Sequence, residues 1–427
     1  MWKNVWQSLI LVGAVCIRIL AMLLAFKYLS SLFGIEGFGL LSQAMAVGAL
    51  FATISGGGLQ TGLVRQVAAA TTREDAAGWF KAAIAISLIS AVFLSVLAVV
   101  LYLFFGGAVL GDDRYDWVFL IIAVVQLPLA LGSTALAYLS GAGLPSAYSY
   151  SSIIGSIVAA VLVFLLSSFY AFSGAMAACI LFAVWPALIS VVQIVFRKVE
   201  EVRDALARPT ERNKVYSLLR FGLYMFVAAS AVPLALVHIR SFLGENLGWV
   251  TVGEWQSVAR IGDAYIQVFG VIFINLMLPR LSALSEQRLQ KQVVKQFALL
   301  TVGLFAIGAT VFLLNSARIL ALVYTSAFVS ASNYVLPQLV ADFLKITASW
   351  FVYLHIARGR PVVQAVAEVV QAIVMALSFH LLVGPLNGLA APWAYASGVA
   401  AVLLFLLWTW RNDSRTNSKF SGGNSQP

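Results

Sequence analysis

The chain has 427 residues, of which 61% are hydrophobic and only 10% charged, against about 25% charged in an ordinary soluble domain. That balance excludes a water-soluble enzyme, a disordered scaffold and a disulfide-knotted secreted module. The net charge of +10 would suggest nucleic acid in a soluble protein, but here it must first be read as topology.

Crossing about 30 Å of hydrocarbon takes roughly 20 apolar residues, and backbone at that depth must satisfy itself as a helix or a closed barrel. The apolar runs are continuous rather than alternating, so the expected fold is all-α: a polytopic membrane protein of about twelve transmembrane helices. In chain order the spans read Val5 to Leu32, Leu40 to Val64, Phe80 to Phe105, Trp117 to Ser140, Tyr148 to Phe169 and Gly174 to Phe196. Then follow Val215 to Phe242, Val250 to Leu278, Val293 to Leu314, Tyr334 to Ile356, Val362 to Val383 and Leu389 to Trp410. The first run is too long for a signal-peptide core and lacks its flanks. Ile319 to Val329 is too short to cross and is placed as an interfacial or re-entrant piece outside the cytoplasm.

Lys and Arg test that count. With twelve spans, 20 of the 27 basic residues fall on the side of the termini, and only Arg114 and Arg318 fall opposite. The positive-inside rule makes that side cytoplasmic. The basic excess is thus a topology signal, and no nucleic-acid partner is expected. The longest cytoplasmic connection, residues 197–214, carries both signs and divides the chain into an N-terminal six-helix lobe (1–196) and a C-terminal one (215–410). The tail, 411–427, is rich in Ser, Asn and Gly and is expected to be disordered.

An internal echo supports two related halves. Phe38-Gly39-Leu40-Leu41-Ser42-Gln43 has a counterpart in Val252-Gly253-Glu254-Trp255-Gln256, and Lys27 pairs with Arg240 at nearly the same offset. Two equivalent bundles with a site at their interface are a usual transporter architecture.

Five basic residues lie inside spans: Arg18, Lys27, Arg240, Arg260 and Lys345. An embedded charge costs at least about 2.5–3.5 kcal/mol near a helix centre and usually faces a cavity or a partner. Lys27 and Arg240 sit near span ends and could snorkel. Arg260 with Asp263, and Asp342 with Lys345, are three residues apart and could neutralise each other. Arg18 has neither escape. The first half offers Arg18 and Lys27 with no deep acid, and the second opposes its cations with Glu254, Asp263, Asp342 and Glu368. A lumen shared by both would be a cationic cavity suited to an anion, with phosphate the obvious one, and the acids could couple or gate the cycle by protonation.

Weaker features have bland readings beside them. Gly56-Gly57-Gly58 could be a hinge or a site of tight helix packing. Asp112, Asp113 and Asp116 could imitate an acidic metal motif, but a solvated turn is the simpler reading. Cys16 and Cys179 lie in apolar stretches without a nearby His, so neither zinc nor a disulfide is indicated, and no metal or other cofactor is expected.

Several stretches carry a family resemblance: Val252 to Val258, Asp263-Ala264-Tyr265-Ile266-Gln267, Leu278-Pro279-Arg280-Leu281-Ser282, Asp342-Phe343-Leu344-Lys345 and Ala367-Glu368-Val369-Val370-Gln371. Together they resemble the Wzx-type flippases of the multidrug/oligosaccharidyl-lipid/polysaccharide exporter superfamily, which serve O-antigen and enterobacterial common antigen synthesis. The resemblance implies twelve to fourteen helices in two lobes around a central cationic cavity and an undecaprenyl-diphosphate-linked oligosaccharide as substrate. It places the family's basic positions on Arg18, Lys27, Arg240 and Arg260.

The resulting expectation is a flippase of the bacterial inner membrane with both termini cytoplasmic. Its partners would be membrane lipid, the lipid-linked oligosaccharide, and a polysaccharide polymerase with its chain-length regulator. The rivals are a proton-coupled multidrug exporter of the same superfamily and a membrane polymerase or glycosyltransferase. A cation exporter would carry deep acids where this first half is basic, and a polymerase would carry long periplasmic loops.

Overall fold

A computed structural model describes the backbone at residues 2–56, 58–197, 203, 207, 209–284, 286–358 and 360–421. Side chains are described within those ranges except at 2–12, 14–16, 145, 146, 148, 197, 361 and 413–421. Gly57 and half of the 197–214 connection therefore lie outside the described residues, as does the side chain of Cys16.

Among the described residues, nine helices are long and apolar enough to cross a membrane. Three of the nine reverse as hairpins, the second of them completed by the helix Val184–Arg197, which gives twelve passes. In α1 (Trp2–Ile54) the chain reverses at Gly34, whose φ of 65° is left-handed. The rings of Phe26 and Phe38 then lie 5.6 Å apart, where an unbroken helix would separate them by about 18 Å. In α6 (Pro145–Leu181) the reversal is at Tyr170 and Ala171, and it brings Gly174 against the Leu166 carbonyl. The third joins α14 (Pro361–Leu386) to α15 (Ala390–Ser421) through Asn387, and a Cβ on Gly398 would stand 2.8 Å from the Gln371 carbonyl oxygen.

The remaining helices in chain order are α2 (Gln60–Ala69), α3 (Arg73–Phe104), α4 (Gly106–Leu110), α5 (Val118–Gly141), α7 (Val184–Arg197), α8 (Arg212–Leu247), α9 (Trp249–Ile272), α10 (Leu278–Ser282), α11 (Gln287–Leu314), α12 (Ser316–Val323) and α13 (Val335–Ala357). A π-helical turn, Phe273–Met277, joins α9 to α10. The spanning helices are apolar all round, and residues such as Val124, Phe169, Leu314 and Leu381 are each about 77% exposed or slightly more. In water such surfaces would aggregate; in a bilayer they face lipid. The chain is a polytopic all-α membrane protein.

Three features concern how the passes end and group. The second pass breaks at Ser55 to Leu59 and resumes as α2 rather than running on to Val64. The last helix continues past Arg411 to Ser421; once a long helix exists, adding a residue costs far less than starting one. Finally, the chain parts into two compact units, residues 1–256 with 320–329, and residues 257–319 with 330–427. The division falls within α9 rather than in the 197–214 connection.

In the first unit, α1 packs along α6, α3 along α5, and α7 against both α5 and α6. Its larger core joins Leu29, Leu41, Phe51, Leu94, Phe119 and Met176. Small residues let backbones approach: a Cβ on Gly132 would overlap Ala187, and one on Gly155 would overlap Pro186, as in tight packing of membrane helices.

The seventh pass and the start of the eighth join this unit through contacts that follow the internal repeat. Gly34 and Gly248 both have left-handed φ, 65° and 87°, and each ends one pass and begins the next. Five residues on, a Cβ on Gly39 would overlap the carbonyl oxygen of Trp249, and a Cβ on Gly253 would overlap that of Ile35. Each glycine thus meets the carbonyl four residues before the other, a reciprocal contact such as a two-fold axis produces. The echo read from sequence is a helix crossing.

Candidate functional site

The first unit carries three of the five embedded cations. Arg18 and Lys27 stand on the first pass, before the Gly34 reversal. Lys27 is exposed along its stem, while its ammonium donates to the Ala321 carbonyl at 3.1 Å and to the Tyr324 carbonyl. These oxygens end α12, where carbonyls lack helical partners and a cation suits the dipole. Phe38 completes the attachment, its ring lying 5.2 Å from Tyr324 and 5.7 Å from Phe328, both fully buried. The short piece expected to be interfacial is thus strapped to the first hairpin. Arg18, half-buried on the same helix, lies about two and a half turns from Lys27.

Arg240 on α8 is 7% exposed, with its guanidinium 5.5 Å from the Trp255 ring centroid, a cation–π distance. Snorkelling to an interface is therefore not its conformation here. Nearby, the Gln43 amide donates to the Val109 carbonyl at 2.7 Å and to Ser241 Oγ at 2.9 Å, so a buried polar knot joins α1, α4 and α8. The glycine cluster has a packing role as well. Gly58 adopts φ +70° and approaches α8 so closely that a Cβ would stand 2.6 Å from the Phe226 nitrogen. A Cβ on Gly56 would meet Ser133 Oγ at 2.7 Å.

The second unit holds three of the four embedded acids, Asp263, Asp342 and Glu368. Asp342 on α13 is 1% exposed, and it accepts hydrogen bonds from the Tyr265 hydroxyl of α9 and from Gln338 Nε2 at 3.0 Å. Lys345, one turn on, has its ammonium 5.6 Å from the Tyr395 ring centroid and lies in electrostatic range of Tyr395, Asp342, Asp263 and Glu368. Arg260 pairs with Asp263 at 3.6 Å, the i,i+3 neutralisation that the spacing suggested. Glu254, half-buried near the start of α9, belongs to the first unit.

Tyr265, Gln338 and Tyr395 were not singled out as partners of these charges from sequence. Gln338 could have been found, because it precedes Asp342 by four residues on one helical face. Tyr265 and Tyr395 reach the cluster from other helices and leave no local trace.

The acidic loop after α4 is a tight turn. Asp112 accepts from its own loop at Arg114 N, 2.9 Å, and pairs with the Arg114 guanidinium at 2.5 Å, which holds its carboxyl below the usual range. Burial pushes Asp116 up, with Asp113 and Asp112 adding to the shift. No grouping of three or more His, Cys, Asp or Glu able to hold a metal occurs among the described residues. Cys179 is buried and forms no disulfide among the described residues.

Comparison with known proteins agrees with this architecture. A protein named Lipid III flippase from Escherichia coli (strain K12) is 27% identical over 416 residues, covering 95% of this chain and 98% of its own; the Shigella flexneri protein of the same name matches equally. Among solved structures, an inward-facing multidrug resistance MATE family transporter superposes with a TM-score of 0.74 at 15% identity, over 95% of this chain and 99% of its own. The lipid II flippase MurJ, in an inward closed conformation, superposes with a TM-score of 0.71 at 13% identity, over 95% and 87%. At those identities the likeness is one of fold. Residues 2–285 match the family described as Polysaccharide biosynthesis protein, and the chain belongs to that family.

Proposed function

We propose that this chain is a flippase that carries an undecaprenyl-diphosphate-linked oligosaccharide from the cytoplasmic to the periplasmic leaflet of a bacterial inner membrane by alternating access, in the synthesis of cell-surface polysaccharide. The full-length relationship to proteins named Lipid III flippase supports the substrate class. No covalent chemistry is needed. The problem is desolvation, since each unpaired polar group of a diphosphate and its sugars costs several kcal/mol in hydrocarbon.

The observation that carries the reading is the sign of the embedded charge. Arg18, Lys27 and Arg240 lie within apolar passes, whereas every acid of residues 1–197 falls at a reversal, in a first helical turn or in the Asp112 loop: Glu36, Glu74, Asp75, Asp112, Asp113 and Asp116. That arrangement suits an anionic head group and opposes a cationic drug. Arg18 and Lys27 are assigned to the diphosphate, with Arg240, Arg260 and Lys345 as further cationic positions. Asp342, Glu368 and Asp263, then Glu254, are assigned to coupling or gating. The repeat of Gly34 and Gly39 in Gly248 and Gly253 supports two six-helix halves as the related units.

The Lys and Arg distribution supports cytoplasmic termini. The delivered product is a membrane-bound oligosaccharide at the periplasmic face, the substrate a polymerase with its chain-length regulator would take. Purifying the protein in mild detergent and identifying co-extracted lipid by mass spectrometry tests the reading. A polyprenyl diphosphate bearing sugars is expected; enrichment of organic cations instead would favour the exporter.

A further inference from the structure

Each half of the repeat carries a short helix after its third pass, α4 after α3 and α12 after α11. The first pass of the opposite half holds the end of each. Ser241 Oγ of α8 donates to the Val109 carbonyl of α4 at 3.0 Å, and the Lys27 ammonium of α1 donates to the Ala321 and Tyr324 carbonyls where α12 ends. Lys27 and Ser241 stand at the offset that relates Gly39 to Gly253, and Val109 and Tyr324 at one residue more. The two attachments are therefore counterparts, exchanged by the same two-fold relation as the glycine crossing.

They differ in charge and in access. At α4 the donors are neutral, Ser241 and the fully buried Gln43 amide, which share the Val109 carbonyl. At α12 the donor is a cation on an exposed side chain, and its acceptors are neutral carbonyls. An anion that reached Lys27 would offer a charge-assisted hydrogen bond, roughly twice as strong as one between neutral groups. The attachment at α4 is fixed, whereas the one at α12 is open to exchange.

What Lys27 holds comes from the other half of the chain. Residues 320–329 belong to the first compact unit, although the chain on either side of them, 257–319 and 330–427, forms the second. In a transporter whose halves move as bodies, this segment must travel with the first unit or be released from it. We propose that Lys27 is a latch on residues 320–329, and that a diphosphate opens it by taking the ammonium from the Ala321 and Tyr324 carbonyls, so that arrival of the head group permits the conformational step. The inference rests on the flippase reading above and gives Lys27 a positioning role beside its assignment to the diphosphate. The ring contacts of Phe38 with Tyr324 and Phe328 are indifferent to charge; they set where the segment docks, and the ammonium sets when it is held.

Amide hydrogen exchange of residues 320–329, followed by mass spectrometry on the full chain in lipid nanodiscs, reads the latch, because a docked segment must open before it exchanges. Adding undecaprenyl diphosphate to the wild type is expected to speed exchange there about tenfold, the scale of losing one hydrogen bond from a charged donor. Undecaprenol, with the same chain and no charge, should leave it unchanged. Lys27→Met should exchange fast from the start and ignore the diphosphate, with residues 106–110 as slow as in the wild type, and Lys27→Arg should restore both the slow exchange and the response. Unchanged exchange at 320–329 in Lys27→Met would overturn the latch, as would faster exchange at 106–110 to the same degree. A wild type that bound undecaprenyl diphosphate, seen by native mass spectrometry, without faster exchange at 320–329 would overturn its opening by the head group. If the wild type bound none, the flippase reading itself would fall, while the comparison of Lys27→Met with the wild type would still decide the latch.

Discussion

At the scale of single residues, the embedded charges divide into those whose partners sequence can show and those whose partners it cannot. Arg260 and Asp263 are three apart and pair as their spacing suggests. Lys27, by contrast, caps carbonyls 294 and 297 positions away. Backbone acceptors carry no residue identity, so nothing in the sequence could have marked them. Tyr265 and Asp342 are 77 positions apart and equally silent. Arg18 is assigned to the diphosphate, and Arg18→Ala should abolish export while leaving the amount of folded protein in the membrane unchanged; normal export would remove the assignment. For Asp342 the geometry separates two roles. Exchanging the charges, Asp342→Lys with Lys345→Asp, keeps a pair but moves the carboxylate one turn from Gln338 and Tyr265. The double exchange is expected to remain inactive in a flipping assay, and restored activity would mean that simple pairing is the whole role.

At the scale of elements, hydrophobic runs reveal passes but not how they are joined. The twelve passes were legible because each needs roughly 20 apolar residues. The reversals were not, because only Gly34 advertises one. The other two place Ala171 and Asn387 at φ 49°, a sparsely populated conformation that costs an L-residue about 1–3 kcal/mol. Ala171→Gly should therefore raise stability in detergent by about 1 kcal/mol, read as a higher midpoint of thermal unfolding. A lower midpoint would mean that the methyl group packs usefully. The crossing of Gly39 and Gly253 makes a sharper claim. Alanine at either position must push two backbones apart, an overpacking cost of about 1–3 kcal/mol. Both glycines face one crossing, so a single separation accommodates both methyl groups. The double variant should then lose less than the sum of the two single losses, whereas full additivity would show that the contacts are independent.

At the scale of the whole molecule, the repeat is where sequence and structure meet. The echo of Gly39 in Gly253 was visible in the chain; the reciprocal carbonyl contacts explain why the same small residue recurs. The grouping of residues 215–256 with the first six passes was not visible, because the 197–214 connection looks like a boundary by composition alone. It is close approaches, such as Gly58 to α8 and Gly253 to Ile35, that draw those residues in. The charge pattern also bears on energetics. A diphosphate leaving an electrically negative cytoplasm gains about 2.3 kcal/mol per elementary charge per 100 mV, and an empty site with excess positive charge tends to return inward under the same field. On the proposed assignment the membrane potential would drive both half-cycles, and Asp342, Glu368 and Asp263 would modulate the conformational step.

The most direct measurement is flipping of labelled undecaprenyl-diphosphate-linked oligosaccharide by the purified protein in liposomes, under a potassium-diffusion potential and without a pH gradient. Transport well above protein-free vesicles is expected, faster when the compartment that the head group leaves is made negative and slower when the potential is reversed. Flipping that ignored the potential and followed only a pH gradient would contradict electrogenic driving and promote the acids to the coupling site. No flipping above protein-free vesicles under either gradient would contradict the function itself.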